Sequence, residues 1–219
     1  MTLSTIITRA RYKVRDTDAL IYASDDDDAI LVSFANDILH EIWADLRRVE
    51  SNLAYGHGTI TLSDGTIEYT PSFSFEGFMD DGVWLDGEDW YLTQVDEADK
   101  VLFDYDDTNS ESEPEHFYVT EDGNVGFLPV PDTTYTVYCQ YWKPLTEFED
   151  TTDTVPFAGI WDQFMIERLA MEMLGVQERD VRFQALKVDM AHDRAMAAVY
   201  NRGCRRRRHK GGLFELEGV

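Results

Sequence analysis

The hydrophobic period of this 219-residue chain changes twice, and that change limits the folds open to it. Up to about residue 50, and again from about residue 155, apolar side chains recur at helical intervals. Between those stretches they alternate every second residue, in short runs broken by Gly, Pro and Asp. Helix-forming ends around a strand-forming middle specify a segregated α+β fold, here expected as a discontinuous four-helix bundle with a β-rich insertion and an extended C-terminal arm. The expected boundaries are 1–55 for the first two helices, 56–154 for the insertion, 155–202 for the last two helices and 203–219 for the arm.

The first helix follows from Ile6, Ile7, Ala10 and Val14, with Arg11, Lys13 and Arg15 in a last turn that suits cations. The second opens at Ser24 and Asp25–Asp28, where N-cap side chains and anions satisfy the first-turn amides. Ile30, Phe34, Ile38, Ile42, Leu46 and Val49 then form its expected inner stripe. Adjacent aspartates on a helix start fan outward, so these four read as a solvated cap rather than a cation site. In the third helix Phe157, Ile160, Trp161, Phe164, Met165, Leu169, Met173 and Leu174 cover most of the circumference before Gly175, the expected stop. Such a helix is central or lies between subunits, which makes Ile160, Trp161, Phe164, Leu169 and Met173 the expected packing residues. The fourth, about 178–201, sets Phe183, Leu186, Met190, Ala197 and Tyr200 along one side, expected to face inward.

In the middle, Thr59–Leu62 and Thr66–Tyr69 flank Ser63-Asp64-Gly65, a hairpin signal. Strand-like runs follow at Val83–Leu85, Trp90–Val95, Val101–Tyr105, His116–Thr120, Val125–Leu128 and Tyr135–Trp142. In the last, Val137, Cys139 and Tyr141 share one face and Tyr138 and Trp142 the other, so both faces are expected to be covered.

The formal charge of −24 is unevenly placed: residues 51–154 hold 24 acids against Lys100 and Lys143 alone. So anionic a body does not gain from releasing DNA counterions, which argues against general nucleic-acid binding. The arm differs, because Arg205, Arg206, Arg207 and Arg208 stand with His209 and Lys210 ahead of Leu213, Phe214 and Leu216. Its basic part suits phosphates or an acidic protein surface and its apolar part a pocket or strand edge; an unstructured end is the other reading. The opening residues meet charge before any signal-peptide stretch forms, and no long apolar run exists, so synthesis in cytosol and no membrane contact are expected.

Catalytic patterns are sparse. No phosphate-binding glycine loop is present, and His40-Glu41 lacks the second histidine four residues after the first that a zinc helix needs. The five histidines lie in separate segments, and Cys139 and Cys204 fall in unrelated ones. Asp104–Glu115 lacks the glycine and spacing of a calcium loop. Carboxylates are so many that a pair at glycosidase separation carries no information, and Trp84, Glu88, Asp89, Trp90 and Tyr91 are the nearest aromatic–acid cluster. Neither an enzyme nor a cofactor is expected.

Three strings carry a resemblance: LSTIITRARYKVRDTDALIYASDDDDAILVSFANDILHEIWADL, HFYVTEDGNVGFLPVPDTTYTVYCQYWKPLTEF and VPFAGIWDQFMIERLAMEML. They resemble the head-to-tail adaptor, or connector, proteins of tailed bacteriophages, particularly short-tailed ones. The resemblance implies a non-enzymatic virion protein forming a ring, commonly of twelve copies, between the portal protein and the tail nozzle. It further implies helices packed between neighbours, an arm reaching the portal, and duplex DNA passing without sticking. The run Cys204–Lys210 stands apart from that pattern. The alternative from the residues is a phage tail or host-surface module in which the aromatic and acidic insertion holds a glycan; DNA contact by Arg205–Arg208 is a third reading.

Overall fold

A computed structural model of the chain describes residues 1–15, 25–100, 111–176 and 181–202. These form two compact units, one built from residues up to Leu53 together with those from Glu147, the other from Ala54–Thr146. The class is α+β.

The first unit holds α1 (Leu3–Val14), α2 (Asp25–Arg48), α3 (Asp162–Val176) and α4 (Arg182–Arg202). Of the two places expected for α3, central or between subunits, the fold shows the first, since α3 packs against α1, α2 and α4 of its own unit. Trp161, just ahead of α3, and its Phe164, Met165, Ile166, Leu169, Ala170 and Met173 are buried. The start of α1 has no side-chain cap. Its free amides are met instead by the 151–153 turn, Leu3 N donating to Asp153 O at 2.9 Å and Ser4 N to Thr151 O at 2.7 Å. The same segment is tied to α2 by Asn36, whose side chain accepts from Phe148 N at 2.9 Å and donates to Phe148 O at 3.1 Å.

Three expectations change here. Gly175 does not stop α3, which runs to Val176, and Gly175 makes no left-handed turn. In α2 the buried face is Leu31, Ala35, Ile38, Leu39, Ile42 and Leu46, while Ile30 is exposed and Phe34 half-buried. A row of four-residue steps drifts about 40° per step around a helix of 3.6 residues per turn, so a stripe begun at Ile30 starts outside the face that Ile38–Leu46 define. In α4 the inward side is Gln184, Val188, Ala191, Ala195, Met196 and Val199, and the bulky stripe from Phe183 to Tyr200 points to solvent.

The second unit contains two sheets. β1 (Tyr55–Thr61), β7 (Thr136–Trp142) and β3 (Gly77–Leu85) form an antiparallel sheet in the order β1-β7-β3. The other has the order β2-β6-β5-β4, from β2 (Glu68–Tyr69), β6 (Val125–Leu128), β5 (His116–Val119) and β4 (Thr93–Gln94), with only β4–β5 parallel. Ile60, Leu62, Val83, Leu85, Leu92, Phe117, Val125, Phe127, Val137 and Cys139 make one core. The expected run Val101–Tyr105 lies outside the described residues, and of Trp90–Val95 only Thr93–Gln94 is strand.

The expected hairpin is absent: β1 and β2 enter different sheets. The Tyr69 hydroxyl accepts from Ser63 N at 2.8 Å and binds Ser63 O at 3.0 Å and Thr66 O at 2.7 Å. The flanking segments take other partners instead of each other, β1 pairing with β7 and β2 with β6. The faces of β7 also differ from expectation: Val137, Cys139 and Tyr141 are buried, but Tyr138 is exposed and Trp142 half-buried, so only one face is covered.

Candidate docking surfaces

Among the described residues no group of His, Cys, Asp or Glu is arranged to hold a metal ion. The histidines serve separate contacts. His40 Nε2 lies 2.6 Å from Glu147 Oε1, and His192 Nε2 lies 2.7 Å from Asp45 Oδ2 against the rings of Trp161 and Phe164. The most enclosed charge is Glu167. Its Oε1 meets Lys13 Nζ at 2.5 Å and Gln163 Nε2 at 2.6 Å, and its Oε2 meets Gln184 Nε2 at 2.8 Å. Burial pushes this carboxyl up, but hydrogen bonds from Lys13, Gln184 and Gln163 and the Lys13 charge more than reverse it, leaving it below its ordinary range. This joins α1, α3 and α4 through one carboxylate, a structural role.

Of the expected packing residues, Trp161, Phe164, Leu169 and Met173 are enclosed by the unit's own helices and Ile160 is half-buried. Arg205, Arg206, Arg207, Arg208, Leu213, Phe214 and Leu216 lie outside the described residues. The surface that the pattern assigned inward, Phe183, Leu186, Met190 and Tyr200, is instead the large exposed apolar face of the helical unit.

The β unit offers two further surfaces. On the outer face of the three-stranded sheet, Trp84 stacks on Tyr138 with centroids 5.7 Å apart and meets Tyr91 edge-on at 6.2 Å. Of the aromatic–acid cluster, Trp84 and Tyr91 thus come together, while Trp90 Nε1 donates to Glu88 Oε2 at 3.1 Å. The second surface is an open concavity of about 840 Å³ lined by acids including Glu68, Asp96, Glu97, Glu121 and Asp122. Lys100 sits at its wall, 4.0 Å from Glu68, 3.9 Å from Glu97 and 5.3 Å from the centre of the Tyr118 ring. The Tyr118 hydroxyl donates to Glu68 at 2.8 Å, and burial with that carboxylate raises its pKa strongly.

A chain that joins a helical unit with a completed core and an unused apolar face to an acidic β unit belongs to the class of proteins that work by docking. The family model for the SU10 adaptor protein matches residues 1–209, and the chain belongs to that family. It is therefore a bacteriophage head-to-tail adaptor, a structural virion protein of the head–tail junction that associates with portal and tail proteins. No curated protein matches the chain. No helix among the described residues is long and apolar enough to cross a membrane.

Proposed function

We propose that copies of this chain form a ring of twelve between the portal and the tail nozzle, through which duplex DNA passes. The helical segments 1–55 and 155–202 build the ring and the acidic insertion 56–154 meets tail proteins. The arm 203–219 docks on the portal through Arg205–Arg208, Leu213, Phe214 and Leu216. Ile160, Trp161, Phe164, Leu169 and Met173 serve subunit packing by holding the helices whose outer faces meet the neighbour. The observation that carries the reading is the charge partition of an adaptor-family chain, with 24 acids against two bases in residues 51–154 and six bases between Arg202 and Lys210. An anionic wall repels the phosphate backbone and leaves passing DNA nothing to grip. The cationic end supplies steering toward an acidic partner. Fully extended, the arm reaches about 55 Å at about 3.3 Å per residue, enough to cross onto another subunit.

Truncation after Arg202 tests the arm. The shortened chain is expected to keep its helical circular-dichroism signal and to fail to sediment with portal rings. Normal co-sedimentation of the truncated chain defeats the assignment. The Trp84–Tyr138 stack with Tyr91 edge-on to it favours a second reading, a glycan-binding face, since sugar rings pack on aromatic side chains. Glycan-array binding that is lost on Trp84→Ala, with portal binding absent, would establish it in place of the first.

A further inference from the structure

The helix α4 is apolar on two opposite sides, and the subunit uses only one. At about 100° per residue, Gln184, Val188, Ala191, Ala195 and Val199 fall within one arc of about 80°, and all are buried. Phe183, Leu186, Met190, Ala197 and Tyr200 fall in an arc on the other side, with Asp193 among them and Arg182 and Asn201 at its edges. Phe183 is 70% exposed, Leu186 55%, Met190 49% and Tyr200 58%. Together they present on the order of 500 Å² of surface, the size of patch that marks an interaction site. A specific interface takes about 800 Å² from each partner, so this stripe with its flanks supplies most of one side.

We propose that the stripe docks on the outer face of α2 in a second copy of this chain, an inference that rests on the ring reading and names its contact. Charge selects the partner. Flanking the stripe of α4, the bases Arg182, Lys187 and Arg194 outnumber Asp189 and Asp193, whereas the exposed side of α2 carries Asp37 and Glu41 beside Arg48. Pairing α4 with α4 would set a cationic helix against itself, while pairing α4 with α2 sets it against an anionic one. Shape selects the face. On α2, Ile30, Ser33, Asp37, Glu41, Ala44 and Arg48 share the exposed side. Ser33 and Ala44 are short there, which lets bulky residues of a partner helix come close, and Ile30, 45% exposed, adds apolar contact. Asp37 provides an anion for the flanking bases, as does Glu41, which also meets Arg168 of its own subunit at 3.2 Å. Two different patches on one unit make a heterologous contact, which propagates head to tail and closes into a ring when the rotation permits.

Paired cysteines test this. In the full chain carrying Cys204→Ser, Leu186→Cys is combined in turn with Ile30→Cys, Asp37→Cys and Ala44→Cys, and each is oxidised both free and mixed with portal rings. The expected result is a ladder of dimers, trimers and higher species from at least one pair on a non-reducing gel, with each single-cysteine chain remaining monomeric. A strong dimer from Leu186→Cys alone means a two-fold α4–α4 contact and overturns the proposal, as does the absence of a ladder from every pair under both conditions. As a second measurement, Leu186→Asp with Met190→Asp is expected to raise the concentration for half-association by about tenfold or more without altering the helical signal. Unchanged association overturns the proposal. Portal co-sedimentation separates the two readings: retained without cross-linking, it removes this contact alone; lost with cross-linking intact, it removes the adaptor assignment alone.

Discussion

Replacing Lys13 by Met isolates the energetics of the buried charge that joins three helices. The Glu167 side chain is 6% exposed and Lys13 is 32% exposed. Removing one partner of a fully buried pair costs about 3–5 kcal/mol, because the other charge stays desolvated. Lys13 is partly hydrated, which reduces the loss to about 2–3 kcal/mol. The amides of Gln163 and Gln184 remain to hold the carboxylate, so the helices stay assembled. Urea unfolding followed by the helical circular-dichroism signal measures the difference. The double substitution Lys13→Met with Glu167→Gln removes both charges and should cost less than Lys13→Met alone.

The pH dependence supplies the sharper test. In the native protein the Glu167 pKa is lowered, so its contribution is fully present above the unfolded carboxyl range, about 4.3, and is lost as the pH falls through the folded value. In Lys13→Met the cation and its hydrogen bond are gone, while burial and the weaker Gln184 and Gln163 hydrogen bonds remain, so the folded pKa rises from its native position. The carboxyl then takes up a proton more readily than in the native fold, and the stability gap to the native protein narrows between pH 7 and about pH 4.3. A gap of equal size at both pH values, or a double variant as costly as the two single ones summed, refutes the buried-charge account.

A Cβ on Gly126 would stand 2.1 Å from the Tyr118 ring, and Tyr118 is itself buried, so Gly126→Val should destabilise the β unit by about 3 kcal/mol, read as a lowered urea midpoint of tryptophan fluorescence. An unchanged midpoint contradicts the close approach. Burial pushes the Cys139 thiol up to about 12, so in a Cys204→Ser chain thiol reagent at pH 8 should react only as fast as the β unit opens. Rapid labelling of the folded protein contradicts its place in the core.

The two changes of hydrophobic period were sufficient to place four helices around a β-rich middle, because period is fixed by backbone geometry before any packing is chosen. That α3 is covered on every side was legible for the same reason, since a helix apolar all round has no side it can leave in water. The pattern left open whether its own unit or a neighbour supplies the cover, and α1, α2 and α4 supply it. The partition of the strands between two sheets was not. Thr59–Leu62 and Thr66–Tyr69 carry the composition of a hairpin, but the first pairs with β7 and the second with β6, strands far along the chain that no local pattern names. The network at Glu167 was equally hidden, since Lys13, Gln163, Glu167 and Gln184 meet only after α1, α3 and α4 are packed.

The misreading of α4 carries the most physical content. Its sequence offers two candidate inner faces, one rich in aromatic and long aliphatic side chains and one built from Ala191, Ala195, Val188 and Val199. Bulk favours burying the first, and the fold buries the second. A helix lined by alanine and valine approaches α3 closely enough for Gln184 Nε2 to reach both the Glu167 carboxylate and its backbone carbonyl at 2.9 Å. Phe183, Leu186 and Met190 on that side would hold the helices apart and leave the buried carboxylate short of a donor. The small face therefore completes the subunit, and the bulky face is released for a surface the single chain does not contain. For a subunit of a larger assembly this division is economical in side chains: small residues set the distance within the fold, and large ones remain where another copy can cover them.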